Sequence, residues 1–283
     1  MPGLKRGIYN GIKSGFGHSR MRNGFAGGIK ATNAYTYKMI DPTLVTGNDA
    51  PLLLWHADTC TYNPATFAVT ALADLTPNGR NATVQATNTF VPKGFNNIRG
   101  YISTSVGGGF NYNNIIAGRS EFTIIMVVKS SPIVNRRLFS IENSVGTSMG
   151  DLWIFNKLAP FRLTSTQIGS PTGNTIVYDS IGALVENNWC LVTAKYRLSS
   201  PGGYSNSMNL SINGNSLVDT IASSVTYTAN ATYGSGVLRV CNNNALTTGG
   251  ALFGSIVVFP YWLNEPDQIL YENYFRTYYG YNF

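Results

Sequence analysis

The chain has 283 residues, 43% of them hydrophobic and 12% charged. That apolar content suffices for a sizeable core and excludes global disorder, while the charged share is about half that of an average globular domain. The net charge of +7 sits at one end: seven of the twenty Lys and Arg residues lie in the first forty positions, the first acid is Asp41, and the remaining cations match the thirteen Asp and Glu one for one.

The first forty residues carry a short repeat: Gly3-Leu4-Lys5-Arg6, Gly7-Ile8-Tyr9-Asn10, Gly11-Ile12-Lys13-Ser14 and Gly15-Phe16-Gly17-His18, echoed at Gly24-Phe25 and Gly28-Ile29. One apolar side chain in four buries too little surface to offset the entropy of so many glycines. Repeated glycine also costs about 1 kcal/mol per residue against alanine in a helix. Residues 1–40 are therefore expected to be an anchoring arm that folds on a partner. Its expected contacts are Lys5, Arg6, Ile8, Ile12, Lys13, Phe16, Arg20, Arg22, Phe25 and Lys30, the cations for an anionic surface and the apolar groups for a protein groove. Residues 41–51 read as a connector, with breaker signals at Asp41-Pro42, Gly47-Asn48-Asp49 and Ala50-Pro51.

From Leu52 onward, short apolar runs alternate with Gly, Asn, Ser and Pro clusters. Strands are expected at Phe122–Lys129, Arg137–Ile141, Leu152–Phe155, Thr175–Tyr178, Trp189–Tyr196, Met208–Ile212, Val237–Val240 and Phe253–Phe259. Asn213-Gly214 is a strong hairpin signal, because a type I′ turn needs positive φ at both central residues. The chain closes on an expected helix with Asn264 as N-cap, Pro266 and Asp267 in its first turn, Tyr271 and Phe275 on one apolar face, and Gly280 as its stop. Three cysteines (Cys60, Cys190 and Cys241) without short spacing do not make a disulfide framework or a zinc finger; Cys190 and Cys241 read as buried thiols. Neither a signal peptide nor a run long enough to span a bilayer is evident.

The order of landmarks resembles the laminin-G-like/concanavalin A-like jelly rolls. Asp74-Leu75-Thr76-Pro77-Asn78-Gly79-Arg80-Asn81-Ala82 is similar to that family's "D-x-S-G-N-G-x-x-A" turn, with Thr76 and Pro77 in place of Ser-Gly. Trp189–Tyr196 is similar to its "W-H-H-V-A-x-x-Y" strand, and Leu210–Gly214 to its "L-Y-V-N-G" hairpin. The resemblance covers about 230 residues and implies an all-β, two-sheet antiparallel sandwich over residues 52–283, with a short C-terminal helix.

Chemical motifs are few. The glycoside-hydrolase branch of this fold carries E-x-D-x-x-E on one strand. The nearest match here, Glu265-Pro266-Asp267-Gln268-Ile269-Leu270, has Leu in place of the third acid and reads as a helix cap. His56 follows Trp55 in the opening strand and reads as a satisfied strand histidine; nothing in sequence marks a serine partner. Two polar stretches, Asn111-Tyr112-Asn113 and Asn242-Asn243-Asn244, read as loops whose aromatic and amide groups suit a sugar. Asp151 is the one acid considered for Ca²⁺, and clustered carboxylates are absent. No cofactor, metal or catalytic activity is expected. The arm and the single lectin-like module are expected of a bacteriophage virion protein, a head decoration or fibre or a tail receptor binder. Its expected partners are capsid or tail proteins, copies of itself and host-surface glycans, with no membrane insertion. The alternatives are a free-standing or cell-surface carbohydrate-binding module and a glycan-active enzyme on the same fold.

Overall fold

The computed structural model describes residues 39–86, 88–95, 97–105, 108–129, 136–142, 149–157, 162–169, 174–178, 188–197, 208–216, 219–221, 236–241, 251–281 and 283. Strands are numbered along the chain. The first sheet holds β1 (Leu53–His56), β5 (Asn88–Phe95), β6 (Arg99–Thr104), β8 (Glu121–Lys129), β13 (Trp189–Arg197), β14 (Met208–Ile212), β15 (Asn215–Ser216) and β18 (Leu252–Phe259). The second holds β4 (Thr83–Gln85), β7 (Gly109–Asn113), β9 (Arg136–Glu142), β10 (Met149–Lys157), β11 (Arg162–Gly169), β12 (Asn174–Tyr178), β16 (Asp219–Ile221) and β17 (Val237–Val240). All recorded pairings are antiparallel; β2 (Cys60–Tyr62) and β3 (Val69–Leu72) form a separate hairpin. The arrangement is the expected two-sheet sandwich.

In the first sheet, the order is β15-β14-β13-β8-β18-β6-β5, and β1 joins β18 beyond the end of β6. This sheet is covered on both faces. Phe122, Ile124, Met126 and Val128 of β8 face Phe110, Phe139 and Val240 of the second sheet, in one core with Trp55 and Phe253. Ile125 and Val127 point the other way, into a second core with Tyr271, Phe275 and Tyr279 of the helix α1 (Glu265–Tyr279). Two-sided burial explains why β8 reads as a continuous apolar run rather than an alternating one.

Local signals in the sequence set the turns and caps. Asn213 and Gly214 have φ of 54° and 85°, both left-handed as a type I′ hairpin requires, and they join β14 to β15. The Asn264 side chain accepts from the backbone N–H of Asp267 at 2.9 Å, and Gly280 ends the helix at φ 58°. Cys190 and Cys241 are buried and not in a disulfide, and desolvation pushes Cys190 up to about 11. The stretch before β1 lies against the helix: Ile40 N–H donates to Leu270 O at 3.2 Å, Ile40 shares the helix core, and the Tyr261 hydroxyl donates to Asp49 O.

The turn between β3 and β4 is a hydrogen-bonding hub. The Asp74 carboxylate accepts from the backbone N–H groups of Leu54 (2.9 Å), Thr76 (3.0 Å) and Arg80 (2.8 Å) and from the Thr76 hydroxyl (2.8 Å). Asn78 and Arg80 side chains donate to Leu52 O, and Trp55 Nε1 donates to Arg80 O. Four donors converge on one half-buried carboxylate, so the turn fixes the start of β1. Asp74→Ala leaves those donors without a partner and is expected to lower stability by about 2–4 kcal/mol, read as a reduced urea midpoint at unchanged slope.

Candidate functional site

The most concentrated polar chemistry lies between the first sheet and α1. Register places His56 of β1 opposite Ser255 of β18, so both side chains face the helix. His56 Nδ1 and Ser255 Oγ are 2.5 Å apart, Ser255 Oγ also bonds the Tyr279 hydroxyl, and His56 Nε2 lies 3.0 Å from the Tyr274 hydroxyl. The imidazole stacks on Tyr278 at 4.3 Å and 11°, and the Arg99 guanidinium sits 4.0 Å from the centre of that same ring. Asp58 clamps the stack from the side: it accepts from the Tyr278 hydroxyl (3.0 Å) and Gly100 N–H (2.6 Å) and lies 3.7 Å from Arg99.

A serine beside a histidine raises the question of nucleophilic catalysis. That chemistry needs a reachable hydroxyl and a base able to take its proton. Ser255 is 0% exposed and His56 1%. Both imidazole nitrogens already have partners. Burial, reinforced by the Arg99 charge, lowers the His56 pKa to about 3, so the ring stays neutral and is a poor base near neutral pH. Desolvation likewise pushes the Tyr274, Tyr278 and Tyr279 hydroxyls upward. The constellation holds a helix to a sheet. His56 is the satisfied strand histidine that the sequence suggests.

Two further rungs continue along the same interface. Glu272 is 1% exposed and accepts from Thr193 Oγ1 and Gln268 Nε2, each at 2.8 Å, with Arg276 3.5 Å away. Gln268 Nε2 also donates to Ser211 Oγ at 3.0 Å. Beyond it, Thr123 Oγ1 donates to Tyr261 O and accepts from Leu263 N–H, and Lys195 Nζ donates to Leu263 O. Lys195 and Arg197 both lie over Trp262, and burial holds Lys195 below its ordinary pKa.

The expected sugar-facing loop around Asn111 is instead strand β7, paired with β4 and β17. Side chains alternate across it: Phe110 and Tyr112 pack on the inner core, which leaves Asn111 and Asn113 on the outward face beside Arg239 and Val237. Strand pairing thus separates the aromatic ring from its two amides. Asn242, Asn243 and Asn244 lie outside the described residues, as do all the arm contacts from Lys5 to Lys30 and the Asp151 side chain, whose backbone belongs to β10. Among the described residues, no group of three His, Cys, Asp or Glu is placed to hold a metal ion, and no helix is long and apolar enough to cross a membrane.

No family model and no curated protein matches the chain. Solved structures do match in shape. The binding domain of paraclostridial mosquitocidal protein 1 aligns with a TM-score of 0.52 and 14% identity, over 81% of this chain and 52% of that one. The binding domain of botulinum neurotoxin DC, in complex with SialylT, aligns at 0.52 and 17%, over 81% and 52%. Domain 4 of AbnA, a GH43 extracellular arabinanase from Geobacillus stearothermophilus in complex with arabinotriose, aligns at 0.52 and 11%, over 79% and 98%. The fold is a lectin-like jelly roll. This jelly roll spans about half the length of the toxin binding domains and nearly all of the arabinanase domain.

The buried histidine gives the jelly roll a pH dependence of known sign. Its pKa is depressed on folding, so between about 6.5 and 3 the unfolded chain binds a proton that the folded chain does not. The stability this contributes is fully present above that window and falls by up to about 1.4 kcal/mol for each pH unit crossed within it. Urea midpoints between pH 7 and 5 (above most carboxylate titration, roughly) should drop for the natural chain, and His56→Gln should flatten that drop.

Proposed function

We propose that this chain is a non-catalytic structural protein of a bacteriophage particle. The basic arm anchors it to capsid or tail proteins, and the jelly roll is displayed outward as a decoration, fibre or receptor-binding module, in a homo-oligomer. The observation that carries the reading is the partition of charge: seven cations and no acid before Asp41, then a formally neutral body. A neutral, amide- and hydroxyl-rich surface suits display and recognition, while the cations suit a dedicated anchor. Burial of the His56–Ser255 pair away from solvent supports a non-catalytic role.

The shape matches support recognition of host-surface glycans by the sandwich. One matched toxin domain is a complex with SialylT, and the matched arabinanase domain holds arabinotriose. A second reading, a free-standing carbohydrate-binding module, draws on the arabinanase domain in particular, since 98% of that domain is covered.

Anchoring is tested by removing residues 1–38, which leaves Ile40 bonded to Leu270 and packed on α1. The truncated protein should keep the melting profile of the full chain and fail to co-sediment with particles during assembly. Normal incorporation of the truncated protein would sink the anchoring role and favour the free-standing module.

A further inference from the structure

The β2–β3 hairpin carries an aromatic side chain where the backbone does not favour one. Asn63 N–H donates to Ala68 O at 2.8 Å to close the loop, and Phe67 N–H donates back to Asn63 O at 2.7 Å. Asn63 Oδ1 accepts from Ala65 N–H, and Thr66 Oγ1 accepts from Ala68 N–H. This geometry holds Phe67 at φ 58°, the left-handed region where glycine or asparagine is usual and a bulky residue is strained. Core burial does not compensate, because Phe67 is 40% exposed.

The position is also braced by its neighbours. The Phe67 ring lies nearly parallel to Tyr62, at 5.9 Å and 12°, and Tyr62 rests on Phe90 at 4.8 Å. The Phe67 carbonyl accepts from Phe90 N–H at 2.8 Å, tying the tip to the first sheet. The sequence from Thr61 to Thr70 has no ionisable side chain except the Tyr62 phenol, and Thr61, Asn63, Thr66 and Thr70 are all exposed. Strain kept at an exposed, braced aromatic is the pattern of a ligand-facing position rather than of a packing one.

We propose that the exposed ring of Phe67, backed by Tyr62, is a stacking platform for a neutral sugar ring, with the Asn63 amide and Thr66 hydroxyl at its edge for the sugar hydroxyls. Aromatic rings take the apolar C–H face of a sugar, and adjacent amides and hydroxyls take its polar rim. An uncharged tip selects against carboxylate- or phosphate-bearing ligands, which call for cations. The proposal deepens the reading of the sandwich as glycan-recognising and rests on it.

The test uses the full chain, a panel of neutral trisaccharides (arabinotriose, maltotriose and cellotriose) and sialyllactose as the acidic control, titrated by calorimetry. Phe67→Gly relieves the left-handed strain, so its melting temperature should match or exceed that of the natural chain. Phe67→Gly and Tyr62→Ala should each weaken a neutral trisaccharide by about tenfold or more, while Asn111→Ala/Asn113→Ala binds as the natural chain does. Unchanged binding by Phe67→Gly, or loss only in the Asn111/Asn113 variant, overturns the platform and leaves glycan recognition by the sandwich standing. Binding of sialyllactose alone overturns the neutral class. No sugar binding at all overturns both the platform and the glycan reading, and a cross-link from the tip to another virion protein in that case reassigns it to a protein contact.

Discussion

Docking of the C-terminal helix across the outer face of the first sheet is the constraint on which the rest of the molecule depends. The contact joins an apolar core to a buried polar ladder: His56–Ser255–Tyr279 with Tyr274, then Glu272–Thr193–Gln268–Ser211, then Lys195 and Thr123 on the backbone around Leu263. Apolar contact alone is non-directional and lets a helix slide. Buried polar groups are costly unless each finds its partner, so a ladder with fixed partners permits one register of helix on sheet. Gly254 belongs to the same fit, since a Cβ there would meet the Tyr279 hydroxyl at 3.0 Å and Val127 at 3.0 Å.

That docking closes the second face of the first sheet. With α1 on one face and the second sheet on the other, the first sheet has its central strands buried on both sides. The same docking turns the His56–Ser255 pair into structure: its atoms have the proximity of a catalytic dyad and none of the access. It also ties Ile40 to the backbone of α1.

Two turns on neighbouring stretches of chain show opposite uses of strained or polar groups. Around Asp74, every polar atom named has a partner, and the carboxylate serves as a packing device for β1. At Phe67, the backbone is equally well bonded but the side chain breaks the local preference and stays exposed. The first pattern is what stability alone produces. The second costs stability without a compensating packing gain.

By itself, the sequence determined whatever depends on neighbours a few residues apart. Apolar runs located β8, β13, β14, β17 and β18 to within about a residue. Asn213-Gly214 set its hairpin, and Asn264 and Gly280 capped α1. Strand β5 escaped that reading because Pro92 and Gly94 interrupt it; it lies at the sheet edge, where pairing lapses between Val91 and Phe95 and proline is tolerated. Only the tertiary structure decided which face each residue took. Pairing β7 between β4 and β17 turned Tyr112 inward and parted it from Asn111 and Asn113, and folding brought His56 to Ser255 across 199 positions. Period-two alternation says that neighbouring side chains point opposite ways, but not which way is in; that is fixed by the long-range packing of two sheets and a helix around one shared sheet.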